Sequence, residues 1–330
     1  MREKIKKIKL GTYDLKKIDL GIPVARIIVI PSLWDSTCLG FVQVGFANKK
    51  IEAIPDRNYF NFLQRHVDEQ YKDVLRPSGV NLLFVVRDLR IGERTTAVSE
   101  NAFVRLRANA WIVEDSNKYS FVCDFDTVLT RGGIEVTSKH SRNIAEALYL
   151  LLKKTLEIAS AAQNDSTTFY FTREEIGRAA HDRFNIPALQ NDIINDGAYV
   201  SFIDFLNNRP SYGDYEVKEK KREAKILAGP HKEEVHAWCI CKKGEVYRYF
   251  NGDLIPLEKR GSCYIISTYL NNSNRKNHGI FWCAMLGGIG GAAIGGASSG
   301  KVYHVTGFSY LGNKQPEACS IDMETGKLTF

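Results

Sequence analysis

The chain lacks the short motifs by which several large enzyme classes announce themselves. It has no Gly-x-Ser-x-Gly elbow and no Gly-x-x-x-x-Gly-Lys-Ser/Thr loop, so neither an α/β-hydrolase nucleophile nor a P-loop phosphate cradle is written in it. No Cys-x-x-Cys pair occurs among its seven cysteines, Cys38, Cys123, Cys239, Cys241, Cys263, Cys283 and Cys319. Their odd number and irregular spacing argue against a disulfide framework and for reduced, buried thiols. Cys239 and Cys241 would share one face of a strand, too close in sequence for an unstrained bridge. The first twenty residues contain no apolar core of signal-peptide length, which predicts either a cytoplasmic chain or one whose leader is missing. Basic residues interleaved with aromatics are also missing. The net charge of +7 therefore reads as a solvated basic surface, and no nucleic-acid partner is expected.

One further absence is local. From Gly279 to Gly300 there is not a single charged side chain, and the middle reads Gly-Gly-Ile-Gly-Gly-Ala-Ala-Ile-Gly-Gly. Gly287, Gly291 and Gly295 stand four apart, as do Gly288, Ala292 and Gly296. On a helix such residues share a face, giving a smooth strip that a second backbone can approach closely. Trp282 lies near one end, where interfacial tryptophan is common. The segment is long enough to span a bilayer, but eight glycines leave it only marginally apolar. Membrane insertion, oligomeric packing, a buried helical hairpin and a loop all remain open for it.

What is present predicts an α+β protein. At 330 residues, 44% apolar and 25% charged, the chain is long enough for two domains with real cores. We place them at 1–165, an α+β assembly or binding domain, and 166–330, a small β domain carrying the 279–300 segment. In the first, Ala25–Ile30 and Gly40–Phe46 are expected as strands able to pair with each other. Tyr59–Leu75 reads as a helix with Tyr59, Leu63, Val67, Tyr71 and Val74 on one face. Leu82–Val86 reads as a buried strand. Phe103–Val113 alternates, with Val104, Leu106, Ala108, Ala110 and Ile112 on one side, and Tyr119–Leu129 follows a turn. A helix over 139–162 closes the domain, with Ser138 as its expected N-cap and Ile144, Leu148, Leu151, Leu152, Thr155 and Ile158 as its stripe. The order is thus β-β-α-β-β-β-α, a mixed sheet packed by two helices.

In the second domain, Thr172–Phe184 and Val200–Leu206 are expected as helices. Val235–Cys241, Val246–Phe250, Cys263–Tyr269, Val302–Tyr310 and Ala318–Met323 are expected as strands. Turns fall at Lys243-Gly244 and Asn251-Gly252, and a hairpin at Glu324–Lys327.

Few residues suggest chemistry. Asp88, Arg90, Glu93 and Arg94 form a dense polar patch after a buried strand, a salt-bridged loop or a ligand loop. Asp124 and Asp126 share one strand face; a hairpin centred on Ser116–Asn117 puts Arg107 opposite Asp126 and Asn109 opposite Asp124, which favours cross-strand pairing over a cation site. His231, His236, Cys239 and Cys241 with Glu233 and Glu234 resemble a metal cluster only in composition, because on one strand His236 points away from both cysteines. No metal, cofactor or catalytic residue is assigned.

Two stretches carry a resemblance. Gly197-Ala-Tyr-Val-Ser-Phe-Ile-Asp-Phe-Leu-Asn-Asn-Arg-Pro-Ser211 and Ile321-Asp-Met-Glu-Thr-Gly-Lys327 resemble a signature and a closing hairpin of cell-envelope proteins common in Bacteroidota, as does a glycine-rich apolar insert between them. The likeness covers about 195–330 and implies an exported protein, in the periplasm or at the outer membrane. Residues 20–162 are similar in pattern to the amino-terminal domain of TolB and to transport-auxiliary lipoproteins, which implies assembly or binding and carries over no catalytic residue. The expectation is a non-catalytic envelope protein that meets a membrane, a second subunit or an envelope partner through 279–300. Two alternatives stand: a hydrolase-like enzyme with a site between the domains, using groups such as His140, Asp126 or His236, and a soluble ligand-binding protein using 88–94.

Overall fold

A computed structural model of the chain describes residues 5–14, 22–45, 48–95, 99–162, 169–220, 223–270, 301–305, 307–312 and 314–330. The glycine segment, with Gly287, Gly288, Gly291, Ala292, Gly295 and Gly296, lies outside the described residues, as does Cys283. The chain is α+β and divides into two compact units, Met1–Arg183 together with Phe330, and Phe184–Thr329.

In the first unit the strands are β1 (Lys6–Ile8), β2 (Val24–Pro31), β3 (Gly40–Val44), β4 (Lys49–Pro55), β5 (Val80–Thr95), β6 (Glu100–Asp115), β7 (Lys118–Gly133) and β8 (Tyr170–Phe171). The helices are α1 (Tyr59–Tyr71), α2 (His140–Ala162) and α3 (Arg173–Asp182). One mixed sheet runs β1-β4-β3-β5-β6-β7-β8, with β2 also pairing β5. The strands expected to pair with each other do not: β2 runs parallel to the first half of β5, while β3 pairs antiparallel with β4 and touches β5 at Gly40 and Ile91. Strand β4 is unexpected from the sequence; its buried positions Ile51, Ala53 and Pro55 alternate behind two lysines.

The long meander β5-β6-β7 supplies the frame. Its β6 face forms as periodicity predicts, with Val104, Leu106, Ala108 and Ala110 buried beneath the helices. On β5 a bulge between Val86 and Asp88 switches the pleat. Leu82, Phe84 and Val86 before it, and Leu89 and Ile91 after it, all join the same core as α1 and α2. The other face holds Leu83, Val85 and Tyr119 against Ile176 of α3. That packing and the β7–β8 pairing carry the first unit through Arg183, past the expected boundary at 165. Thr172 starts α3 with a capping box to Glu175. The expected N-cap Ser138 lies instead in a 3₁₀ turn over Thr137–Lys139 that runs into α2.

Helix α1 is tied to extended backbone by three side chains. The Gln64 Oε1 accepts from the Val29 amide at 2.8 Å while its Nε2 donates to the Ile27 carbonyl at 2.9 Å. Gln70 makes the same two-point clasp on Tyr13, both bonds 2.8 Å. His66, 3% exposed, donates from Nδ1 to the Gly11 carbonyl at 3.0 Å, so its buried Nε2 is left without a hydrogen-bond partner. Burial lowers its pKa to about 4. The unfolded chain takes up that proton near pH 6.5, so His66 contributes stability in full above that pH and loses it as pH falls toward 4. Between pH 7 and pH 5 the loss is about 2 kcal/mol. Urea unfolding at both pH values should show this drop in the parent chain and its absence in His66→Phe; equal drops would refute the assignment.

In the second unit the strands are β9 (Gly197–Tyr199), β10 (Tyr215–Lys220), β11 (Glu223–Ala228), β12 (Glu233–Glu234), β13 (Cys239–Lys242), β14 (Glu245–Phe250), β15 (Asp253–Arg260), β16 (Cys263–Ile266), β17 (Ser320–Ile321) and β18 (Leu328–Thr329). The short helices are α4 (Pro187–Gln190) and α5 (Phe202–Leu206). An antiparallel sheet runs β18-β17-β16-β15-β14-β13-β9, beside a three-stranded sheet β10-β11-β12. The turns at Lys243-Gly244 and Asn251-Gly252 have positive φ at both central residues, 54° and 75° in the first and 49° and 79° in the second. These are the primed hairpin turns that asparagine-glycine favours. Four expected strands are shorter than predicted: Val235–Ala237 precedes β13 without joining it, Ser267–Tyr269 is a 3₁₀ turn, Ala318–Met323 is strand only at Ser320–Ile321, and among the described residues of Val302–Tyr310 only His304 forms a bridge, to Glu317.

Candidate functional site

The polar patch Asp88–Arg94 is strand, not loop: all of it belongs to β5. Because the pleat alternates after the bulge, its members split between the two faces. Asp88 and Arg90, both buried, pair with each other at 3.0 Å. Glu93 follows Leu89 and Ile91 onto the helix-covered face. There its Oε1 lies 2.8 Å from His140 Nε2 at the start of α2, and its Oε2 accepts from the Gln43 amide at 2.6 Å. Both side chains of the Glu93–His140 pair are essentially solvent-free. Arg94 is also engaged in an interaction.

The carboxylates of β7 meet the partners their register predicts. Arg107 lies opposite Asp126 and Asn109 opposite Asp124. Asp126 takes a two-pronged bond from Arg105, at 3.1 and 2.8 Å, and a third from Arg107 at 3.0 Å. Burial pushes its carboxyl upward, but the hydrogen bonds and charges of the two guanidinium groups outweigh that and leave its pKa below the ordinary value. Asp124 accepts from Asn109 and lies 3.5 Å from Arg87. Such a ladder orders a sheet face; a general acid or base would need a proton-transfer path that these guanidinium contacts occupy.

In the second unit Cys239 and Cys241 are buried on β13 whereas His231 and His236 are exposed. Burial pushes the Cys239 thiol well above its ordinary pKa, the opposite of a reactive thiolate. Glu234 pairs with Lys225 across the β11–β12 hairpin. Among the described residues no group of three or more His, Cys, Asp or Glu side chains converges as metal ligands. All six described cysteines are reduced and buried.

The stretch Gly197–Ser211 proves to be a folding corner. Ser201 and Asp204 cap α5 reciprocally, and the Ser211 hydroxyl donates to Asp204 at 3.0 Å while accepting from the Val200 amide at 3.0 Å. Buried Asn208 accepts from the Asn195 amide at 2.8 Å and from the Tyr199 hydroxyl at 3.1 Å, and donates to the Ile193 carbonyl at 3.2 Å. Phe202 and Phe205 pack tilted against Trp238 with ring centres 4.8 and 4.9 Å away. Each of these polar groups is spent on turning the chain from β9 into α5 and back. The Asp322–Lys327 hairpin is held the same way, the Glu324 amide donating to Asp322 Oδ1 at 3.0 Å.

Sequence reasoning missed two kinds of residue. The Glu93–His140 partnership links positions far apart in the chain, and no local pattern announces it. Gln64 and Gln70 lie outside the apolar stripe of α1, and nothing local marks them as the side chains that clasp Ile27–Val29 and Tyr13. Among the described residues no helix is long and apolar enough to cross a membrane.

No protein-family model matches the chain, and no curated protein matches it. Among solved structures, the crystal structure of a Xanthomonas campestris protein of family-model DUF330 aligns with 50% of this chain and 99% of its own, at 12% identity and a TM-score of 0.32. At that score the likeness carries no argument about fold or activity.

Proposed function

We propose that the chain is a non-catalytic protein of the cell envelope that works in assembly or binding, with residues 279–300 as the contact segment for a membrane or a second subunit. In this reading the N-terminal mixed sheet and its two packed helices form the assembly or binding module. The small, mostly-β second domain carries the glycine-rich insert, and an envelope protein is a further partner. The observation that supports it is the disposition of the polar groups. Asp88 is spent on Arg90, Glu93 on His140, and Asp126 on Arg105 and Arg107, so the residues that looked most like chemistry brace the sheet instead. The uncharged run from Gly279 to Gly300 is what remains with an evident use for contact. The hydrolase-like alternative would need His140 or Asp126 turned toward a substrate, and the ligand-loop alternative would need 88–94 on one exposed surface.

Expression of the full chain followed by membrane fractionation tests the proposal. Recovery with membranes, or as a multimer after detergent extraction, is expected. A detergent-free monomer that stays in the supernatant would overturn it.

A further inference from the structure

Strand β2 reads Val-Ala-Arg-Ile-Ile-Val-Ile-Pro, a β-branched run with a single charge, and among the described residues it pairs only with β5. Such a margin is a template for pairing with another chain unless something occupies it. Here α1 does. The Gln64 amide takes the Ile27 carbonyl and the Val29 N–H together, the donor and acceptor set that a neighbouring strand would use. Asp68, one helical turn on, orients that amide by accepting from Nε2 at 2.8 Å. The Arg76 amide takes the Val24 carbonyl at 2.7 Å, and Pro31 ends the strand without an N–H.

The geometry points to β2 as a guarded edge: Gln64 stands in for a strand and withholds β2 from antiparallel pairing with β2 of a second copy of this chain. The second copy is the occupant that fits because the run is self-complementary. About a two-fold axis at Ile28, Ile27 of one copy faces Val29 of the other, and each such pair exchanges the same carbonyl and N–H that Gln64 now holds. Arg26 meets Ile30, so no like charges oppose. The inference does not depend on residues 279–300.

A site-specific cross-link tests it in the full chain. Ile28 would face itself across the axis as a non-hydrogen-bonded pair, with Cα atoms about 4.5 Å apart, within disulfide reach. Ile28→Cys is compared alone and combined with Gln64→Leu, under oxidation by copper phenanthroline. The combined variant should give at least about tenfold more disulfide dimer, since two hydrogen bonds no longer compete for the edge. Association through 279–300 would act equally in both backgrounds and cannot produce that difference. Equal cross-linking in the two, or none in a folded combined variant, overturns the inference. If Gln64→Leu does not fold, Gln64→Glu serves, since it keeps the acceptor for Val29 and loses the donor to Ile27. Dimer above the Ile28→Cys level is then expected, and its absence counts against the guard.

Discussion

Replacing Glu93 by Ala is expected to destabilise the first unit by about 2–6 kcal/mol, because it leaves two buried polar groups without their partner at about 1–3 kcal/mol each. The carboxylate serves two buried groups at once, the His140 ring and the Gln43 amide. His140 Nδ1 already has no hydrogen-bond partner, so the substitution would leave the whole imidazole without one in a solvent-free position. Glu93→Gln keeps the volume and can still bond to both groups, so its cost should be about 1–2 kcal/mol. Urea unfolding of the two variants checks the order and the size. A Glu93→Ala chain as stable as the parent would mean that this pair does not brace the sheet, and would return Glu93 and His140 to the list of groups available for chemistry.

An effect of similar size is expected at Gly40. Its φ is +140°, and a Cβ placed there would lie 2.0 Å from the Ile91 carbonyl oxygen. That neighbour is backbone in the middle of β5, so it cannot swing aside. Gly40–Ile91 is also the pair that joins β3 to β5, and the Ile91 amide donates to the Leu39 carbonyl at 2.8 Å just beside it. Gly40→Ala combines a disfavoured backbone with overpacking, on the order of 4 kcal/mol together. Thermal or urea unfolding should show it; a loss within about 1 kcal/mol would mean that β3 can separate from β5 at little cost.

Much of the first unit is legible in its sequence because its central strands and helices each bury one face. The alternation of β6 and the stripe of α2 follow from that asymmetry, and the Ser116–Asn117 turn then fixes the Arg107–Asp126 register. The second half of β5 was not legible for the opposite reason. Both of its faces are covered, so Asp88, Arg90 and Glu93 are interior polar residues, and interior polar residues in sequence look like a loop. The bulge at Arg87 compounds this by shifting the parity between Val86 and Asp88. In the second unit the primed turns were readable from Lys243-Gly244 and Asn251-Gly252, but strand lengths were not. Cys263–Tyr269 leaves the sheet at Ser267–Tyr269, where threonine and tyrosine suit a strand but form a 3₁₀ turn, and among the described residues of Val302–Tyr310 the pairing is one bridge, His304 to Glu317. The Gly197–Ser211 stretch is conspicuous as a motif, and its Ser201, Asp204, Asn208 and Ser211 cap α5 and turn the corner.

The account rests on a division of labour, with the polar residues bracing the fold and residues 279–300 making contact. It is tested most directly by placing Leu at Gly291 in the full chain and measuring membrane partition and sedimentation beside Glu93→Gln. The account predicts that Gly291→Leu weakens partition or shifts the sedimenting species while the unfolding transition stays unchanged, and that Glu93→Gln does the reverse. A Gly291→Leu chain that partitions and sediments like the parent, with the parent itself a monomer outside the membrane, would contradict it.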